Sequence, residues 1–295
     1  MSEFKRFHPI VNLLYFVSVI GFSCVFLHPL CLVISLSGAL TYLILLKGKK
    51  SAMKTLSFVL FCFISTAIIN PLFSHEGMTI LCYFESGNPL TLESIIYGLC
   101  SGAMLSCVLC HFWCFNEVMT SDKFIYLFGK VIPSLSLILS MTLRFVPRFL
   151  SQLKVIAKSQ KCLGRDVSEG TLFERIKYGL SILSAMITWA LENGIETADS
   201  MKARGYGQKG RTAFSIFTFE IRDKLALFVL LFLGSIVLFG SICGEIHFST
   251  FPMIKFSEMS VFSLGVFISY FLLCFCPVCL ELWEVRRWKL LRSKI

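Results

Sequence analysis

The sequence predicts an all-α integral membrane protein with about six transmembrane helices and a helical cytoplasmic block between spans four and five. Three observations carry this reading. The 295 residues are 56% hydrophobic and only 16% charged, with a mean hydropathy of +0.76, too apolar for a soluble domain of this size. Acidic and basic residues are absent from five long runs. All 28 Lys and Arg but one, Lys255, fall on one side of the topology that those runs imply.

The uncharged runs are 7–46, 55–75, 94–116, 225–244 and 259–280. A helix needs about 20 apolar residues to cross a bilayer core. The first run is about twice that length, and His28-Pro29 sits at its middle. Proline lacks the amide that continues a helix, so the run is read as a hairpin of two spans, 10–27 and 30–46. It is longer than a signal-peptide core and has no small-residue cleavage site. The other runs supply spans 55–73, 94–115, 225–243 and 260–281. The chain thus divides into an N-terminal membrane block (8–116), a cytoplasmic block (117–224), a C-terminal membrane block (225–282) and a basic tail (283–295). The loop after the third span carries Gly77 and Gly87-Asn88-Pro89, which suit a short re-entrant or extended piece.

Orientation follows from the cations. Lys5 and Arg6, then Lys47, Lys49, Lys50 and Lys54, the cytoplasmic block, and finally Arg286, Arg287, Lys289, Arg292 and Lys294 share one side. The opposite loops carry Glu76, Glu85, Glu245 and Glu258. Both termini are therefore expected in the cytoplasm. This topology accounts for the net charge of +10 without a nucleic-acid partner.

The cytoplasmic block holds two apolar stretches, 131–143 and 178–191. Both are too short to span, but suit helices lying along the membrane or under a partner. Each leads into a polar helix. In the first, Arg144, Arg148, Lys154, Lys158, Lys161 and Arg165 fall in one wedge at 100° per residue. Phe145, Phe149, Leu150, Leu153 and Ile156 face the other way. Pro147 is read as bending the start of this helix or marking its first turn. The basic face suits anionic lipid or an acidic protein groove. In the second helix Glu192, Glu196 and Asp199 form an acidic stripe, with Trp189, Leu191, Ile195, Ala198 and Met201 mostly off it. That helix ends at Ala203-Arg204-Gly205. A cation in the last turn suits the helix dipole, and glycine just beyond takes the left-handed conformation that closes a helix.

Three motifs look like chemistry and are rejected on context. Cys107-Val108-Leu109-Cys110-His111 has the haem-attachment spacing, but lies inside a span. Cys276-Pro277-Val278-Cys279 is also intramembrane, where cysteine behaves as a small hydrophobe. Gly205 to Thr212 nearly matches a phosphate-binding loop, but Arg211 replaces the lysine and the loop follows a helix instead of a strand. The 13 cysteines and five histidines form no metal-ligand spacing. The chain is therefore expected to be no enzyme, with no catalytic, cofactor-binding or metal-ligating residues. Intramembrane charges, usual in ion-coupled transporters, are missing from the interior of all six spans, Glu281 standing at the edge of the last.

Four stretches then acquire a common meaning. His8-Pro9 opens the first span. Asn70-Pro71-Leu72-Phe73-Ser74-His75-Glu76-Gly77 ends the third. Leu143-Arg144-Phe145-Val146-Pro147 starts the first cytoplasmic helix. Ala198-Asp199-Ser200-Met201-Lys202-Ala203-Arg204-Gly205-Tyr206-Gly207 ends the second. In this order they resemble the transmembrane coupling subunit (T component) of energy-coupling factor transporters, the CbiQ-like cobalt and vitamin transport family.

The resemblance implies a multi-pass subunit of a bacterial-type plasma membrane. It would join two ABC-type ATPase subunits, identical or paralogous, to one separate substrate-binding membrane subunit (S component). The ATPases would use ATP and Mg to drive import of a vitamin or a transition-metal ion. Ala203, Arg204 and Gly205 match the family's second ATPase-coupling motif. The first is degenerate: Cys162, Leu163, Gly164 and Arg165 place leucine where arginine is expected. Arg165 or Lys161 then supplies the charge, or this end docks by apolar contact. Arg144, Arg148, Lys154, Lys158 and Lys161 become a coupling-helix basic face. The alternative is a secondary transporter or channel acting without ATPases.

Overall fold

The first two long helices start alike, each at a His-Pro pair. Nδ1 of His8 accepts the amide of Ile10 at 3.3 Å, and Nδ1 of His28 accepts that of Leu30 at 3.3 Å. The ring nitrogen thereby satisfies an amide that has no partner within the helix. Proline at the first helical position gives up an amide that would be unpaired anyway. The helices are α1 (Pro9–Val25) and α2 (Pro29–Lys47), the expected hairpin.

In this computed structural model the described residues are 3–83, 89–206, 208, 217–256 and 260–292. After α2 come α3 (Lys49–Phe73), strands β1 (Ile80–Tyr83) and β2 (Pro89–Thr91), and α4 (Leu92–Val118). Next are α5 (Ser121–Val131), α6 (Pro133–Cys162) and α7 (Leu172–Ala203). The chain closes with α8 (Ile221–Ile242), β3 (Phe248–Ser249), β4 (Lys255–Phe256) and α9 (Val261–Arg292). Helices α2, α3, α4, α8 and α9 are long and apolar enough to cross a membrane, and α1 is a shorter apolar helix. At 17 residues, α1 sits at the lower limit for a span. Glu85, Gly87, Asn88, Gly207, residues 209–212, Glu258 and Lys294, all used in the sequence reading, lie outside the described residues.

The chain forms two compact units. One comprises Met1–Phe124 and Phe217–Ile295, the other Ile125–Ile216. In the first, α4 packs on α1, α2 and α3, while α9 packs on α2 and α8. Small residues set the closest approach. A Cβ on Gly98 would lie 2.9 Å from the carbonyl oxygen of Ala67, and one on Gly102 would lie 2.9 Å from that of Phe63. Pro71 has no amide for the Ala67 carbonyl, so α4 meets α3 where that carbonyl lacks its helical donor. Asn70 adds a hydrogen bond from Nδ2 to Oγ of Ser101 at 2.7 Å. The loop after α3 is tied to the start of α4: Ser94 Oγ donates to the Ser74 carbonyl at 2.6 Å, and Thr91 Oγ1 to that of Glu76 at 2.7 Å. β1 and β2 pair as an antiparallel hairpin, the extended piece anticipated there.

Polar groups inside the bundle satisfy one another, as an apolar medium requires. The hydroxyls of Ser23 and Ser35 are 2.7 Å apart. Ser35 also meets Nε2 of His111 at 3.1 Å, and Ser23 meets the Tyr270 hydroxyl at 3.3 Å. His111, the last residue of the haem-like pentapeptide, is thus a buried strut joining α4 to α2. Cys107 Sγ donates to the Leu32 carbonyl at 3.3 Å.

The N-terminal turn, Phe4–Arg6, plugs one end of this unit. Phe4 is buried edge-on against Tyr15, Phe16 and Tyr42. Lys5 Nζ pairs with Glu117 at 2.9 Å. Lys123 Nζ donates to the Lys5 carbonyl at 2.6 Å, and burial, with a smaller push from Lys5, lowers its amine to about 8. The His8 amide donates to Asp223 Oδ1 at 3.1 Å, and the Glu220 amide to Asp223 Oδ2 at 3.0 Å.

One sequence expectation is corrected. Pro147 neither starts α6 nor sits in its first turn; it lies well inside the helix. Pro133, at the N-terminal position where a missing amide is harmless, is the residue that starts it.

Gly102→Leu should force α4 off α3, because backbone occupies the space the side chain needs. Overpacking of this kind costs about 1–3 kcal/mol. The expected outcome is a lower melting temperature in mild detergent, and an unchanged melt would refute the close-approach reading.

Candidate functional site

The second unit is dominated by α6 and α7, joined by residues 163–171. A capping box starts α7: the Thr171 amide donates to Glu174 at 2.9 Å, and the Glu174 amide to Thr171 Oγ1 at 3.5 Å. The two reciprocal bonds fix the helix start. The helices meet where Phe149 packs edge-on against Trp189, ring centroids 5.5 Å apart. The Arg148 guanidinium lies 5.8 Å from the same indole. From this crossing each helix runs on for roughly 20 Å, α6 to Cys162 and α7 to Ala203. The last turns of α7 lie beside the first half of α6, with Met141, Arg144, Thr197 and Arg204 lining a shared groove. The two helices are therefore antiparallel, and their C-terminal ends project in opposite directions.

Those two ends have the same backbone. Leu163 has φ −87° and ψ 10°; Arg204 has φ −82° and ψ 9°. Gly164 and Gly205, which follow them, both have φ 74°. The Gly164 amide donates to the Lys161 carbonyl at 3.0 Å, and the Arg165 amide to that of Gln160 at 3.0 Å. At the other end Gly205 donates to Lys202 at 2.9 Å, and Tyr206 to Met201 at 3.0 Å. This double bond pattern closes a helix through one left-handed residue, which glycine supplies without a Cβ clash. Cys162 thus matches Ala203, Leu163 matches Arg204, Gly164 matches Gly205, and Arg165 matches Tyr206.

The side chains differ. Arg204 is exposed and forms no ion pair among the described residues. Leu163, in the equivalent place, is 69% exposed. Lys161 is engaged by Asp166 at 2.7 Å. Asp166 also accepts the Ser168 amide at 3.0 Å. The Lys161 ammonium, then the Ser168 donors, hold the Asp166 carboxyl well below the usual range. Arg165 lies one residue beyond the glycine, exposed, and is displaced from the arginine position by one step of chain.

The basic face of α6 is divided by the fold. Arg144 and Arg148 line the groove of about 550 Å3 that also holds Arg204. Lys154 and Lys158 stand exposed farther along the helix, and Lys161, Cys162, Leu163, Gly164 and Arg165 belong to the opposite end. Glu196 of the acidic stripe lines the groove, as do Ser200 and Tyr206 of the 198–207 motif and also Asn193 and Thr197, which sequence reasoning had not singled out. Their signal was present: 193, 197, 200 and 204 recur at helical spacing on one face, adjacent to the charged stripe that drew attention instead.

The Asp166 pair sets a pH dependence at the first end. A carboxyl lowered by folding contributes order above its unfolded value of about 3.9, and loses it as pH falls through the lower folded value. Exchange of the Ser168 amide, corrected for its intrinsic rate, should stay flat from about pH 7 to about pH 4 and rise below that. Asp166→Asn should raise it across that flat range and approach the unsubstituted protein at lower pH, where the carboxyl is itself neutral. A rise already between about pH 7 and pH 5 would contradict the pairing.

Comparison with known proteins identifies the family. A family model described as CbiQ, cobalt transport protein, matches residues 4–216. The energy-coupling factor transporter transmembrane protein EcfT 1 of Listeria monocytogenes is 30% identical over 183 residues, covering 57% of this chain and 66% of that relative. The EcfT protein of Bacillus selenitireducens is 33% identical over 105 residues, 35% of this chain and 39% of the relative. That of Streptococcus equi subsp. equi is 34% identical over 101 residues, 34% and 38% of the two chains. The chain thus spans between 38% and 66% of the length of these relatives. With the family model matched across well over half of its residues, this multi-pass membrane protein belongs to the CbiQ cobalt transport protein family, the T components of energy-coupling factor transporters.

Proposed function

We propose that this chain is the membrane coupling subunit of an ATP-driven uptake transporter. It links two ABC-type ATPases, which bind and hydrolyse ATP with Mg, to a separate S component that carries a vitamin or a transition-metal ion. The chain itself binds neither nucleotide nor metal. Its N- and C-termini lie in the cytoplasm, the side to which all Lys and Arg but Lys255 are assigned. The observation that carries this reading is the pair of equivalent helix ends pointing in opposite directions, one tipped by an exposed arginine. Such an arrangement gives two separate points of attachment, one for each ATPase. Arg204 presents a rigid fork of donors suited to carboxylates in a partner's groove, and Ala203 and Gly205 shape the helix end around it.

Arg144 and Arg148 extend the cationic surface of that end along the groove. At the first end the exposed Leu163, framed by Cys162 and Gly164, makes an apolar contact, with Arg165 at its edge. Lys161 is held back by Asp166. The two ends therefore fit differently lined grooves, which favours paralogous ATPases over identical ones. The S component is seated on α7, where Phe173, Ile176, Leu180, Leu183 and Ile187 form an exposed apolar stripe continuing to Leu191 and Ile195. Lys154 and Lys158 remain available to anionic lipid or to the ATPase surface.

Arg204→Glu should lower ATP-dependent uptake and capture of the ATPases at least about tenfold, as expected for loss of an interface anchor. Membrane insertion should be unchanged. Affinity purification of the tagged chain from its host should yield two ATPase chains and one small apolar membrane protein. Normal uptake by the Arg204→Glu variant would sink the proposal. Solute transport by the purified chain alone in liposomes would favour a secondary transporter.

A further inference from the structure

Beyond the coupling role, a second groove lies in the membrane unit, between the start of α8, the end of α9 and the N-terminal turn. It has a volume of about 750 Å3. Its floor is apolar, built by Leu225, Val229 and Leu280, and its mouth is charged, with Arg6, Arg222 and Arg287 facing Glu3 and Glu284. The change from mouth to floor takes about 10 Å along α8, from Arg222 to Val229. Trp283, 63% exposed, stands at the level where the two meet, and tryptophan is enriched where hydrocarbon gives way to headgroups.

The three arginines of the mouth differ in how they are engaged. Arg6 and Arg222 share Glu3, and Arg222 also pairs with Glu220 at 2.9 Å. Arg287 lies over the Trp283 ring, its guanidinium 5.5 Å from the centroid, and forms no ion pair among the described residues. Its donors remain open to an anion. Below the mouth the apolar floor continues along the outer face of α8, where Leu225, Phe228 and Phe232 are all more than half exposed. The surface thus has a cationic head region above a long apolar track. Neither an acidic peptide, which has no use for the track, nor a free anion, which has no use for the floor, fits the whole of it.

We propose that this groove binds one anionic phospholipid, its phosphate at Arg287 and one acyl chain along Leu225, Val229 and Leu280. The full chain, with its co-purifying subunits, would be placed in nanodiscs of equal phosphatidylglycerol and phosphatidylcholine, and the retained lipid counted by native mass spectrometry. One phosphatidylglycerol should be kept in preference to phosphatidylcholine by about fivefold or more. Arg287→Gln should remove most of that preference. Val229→Trp, which fills the floor and leaves the charges in place, should lower retention of either lipid. Lys177→Gln, an exposed position on α7, serves as the control and should change neither.

Equal retention of the two lipids would overturn the proposal, as would unaltered retention by both groove variants. Displacement by excess inorganic phosphate would assign the mouth to a free anion, and cross-linking of position 283 to another polypeptide would assign the groove to a protein. Either result rejects a lipid. Uptake by Arg204→Glu reads the coupling role separately, so the two readings fail independently.

Discussion

Gly98 and Gly102 let the α4 backbone approach the α3 backbone at distances that no larger residue permits. Most of the membrane unit follows from that approach. Hydrocarbon offers no hydrophobic drive between helices, so close packing and internal hydrogen bonds must hold them. With α4 drawn in on one side, its other faces are left to α1 and α2, and α9 closes on α2. The buried Ser23, Ser35, His111 and Tyr270 then meet at hydrogen-bonding distance. A shift of α4 would strand the imidazole among apolar side chains, at a cost larger than the bond itself contributes. Packing and polar satisfaction therefore reinforce a single arrangement of the helices.

Much of this was legible in the chain. Charge-free runs located the membrane helices because a bilayer excludes charge in proportion to length, a rule that needs no tertiary information. His8-Pro9 and His28-Pro29 could be read as helix starts because capping is local. Arg204-Gly205 could be read as a helix stop for the same reason. Pro147 was misread because Pro133 also suits a helix start, and local chemistry did not rank the two. The groove that gathers Arg144, Arg148 and Arg204 depends on antiparallel packing across an intervening loop, which periodicity within one helix does not report. His111 was set aside as a haem ligand because its pentapeptide lies inside a span, but its role as a polar strut became legible only with Ser35 placed beside it.

The two helix ends separate what backbone and side chain each contribute. Both close through the same two hydrogen bonds and the same left-handed glycine. The backbone therefore presents the preceding residue in the same pose, whichever side chain it bears. Exchange of arginine for leucine changes the chemistry offered and leaves the presentation intact. Under the proposed coupling role, leucine at this position alters what the helix end offers a partner while the bonds that present it stay the same.

The chain enters the helical unit after Phe124 and leaves it before Phe217, so that unit is an insertion with two covalent crossings. The N-terminal turn grips both. The Lys5 carbonyl accepts from Lys123 on the outgoing crossing, and the His8 amide donates to Asp223 on the returning one. Within the membrane unit, the short segment ahead of α1 thus works as a yoke across the starts of α5 and α8, and its buried aromatic plug at Phe4 is the rivet that keeps the yoke seated.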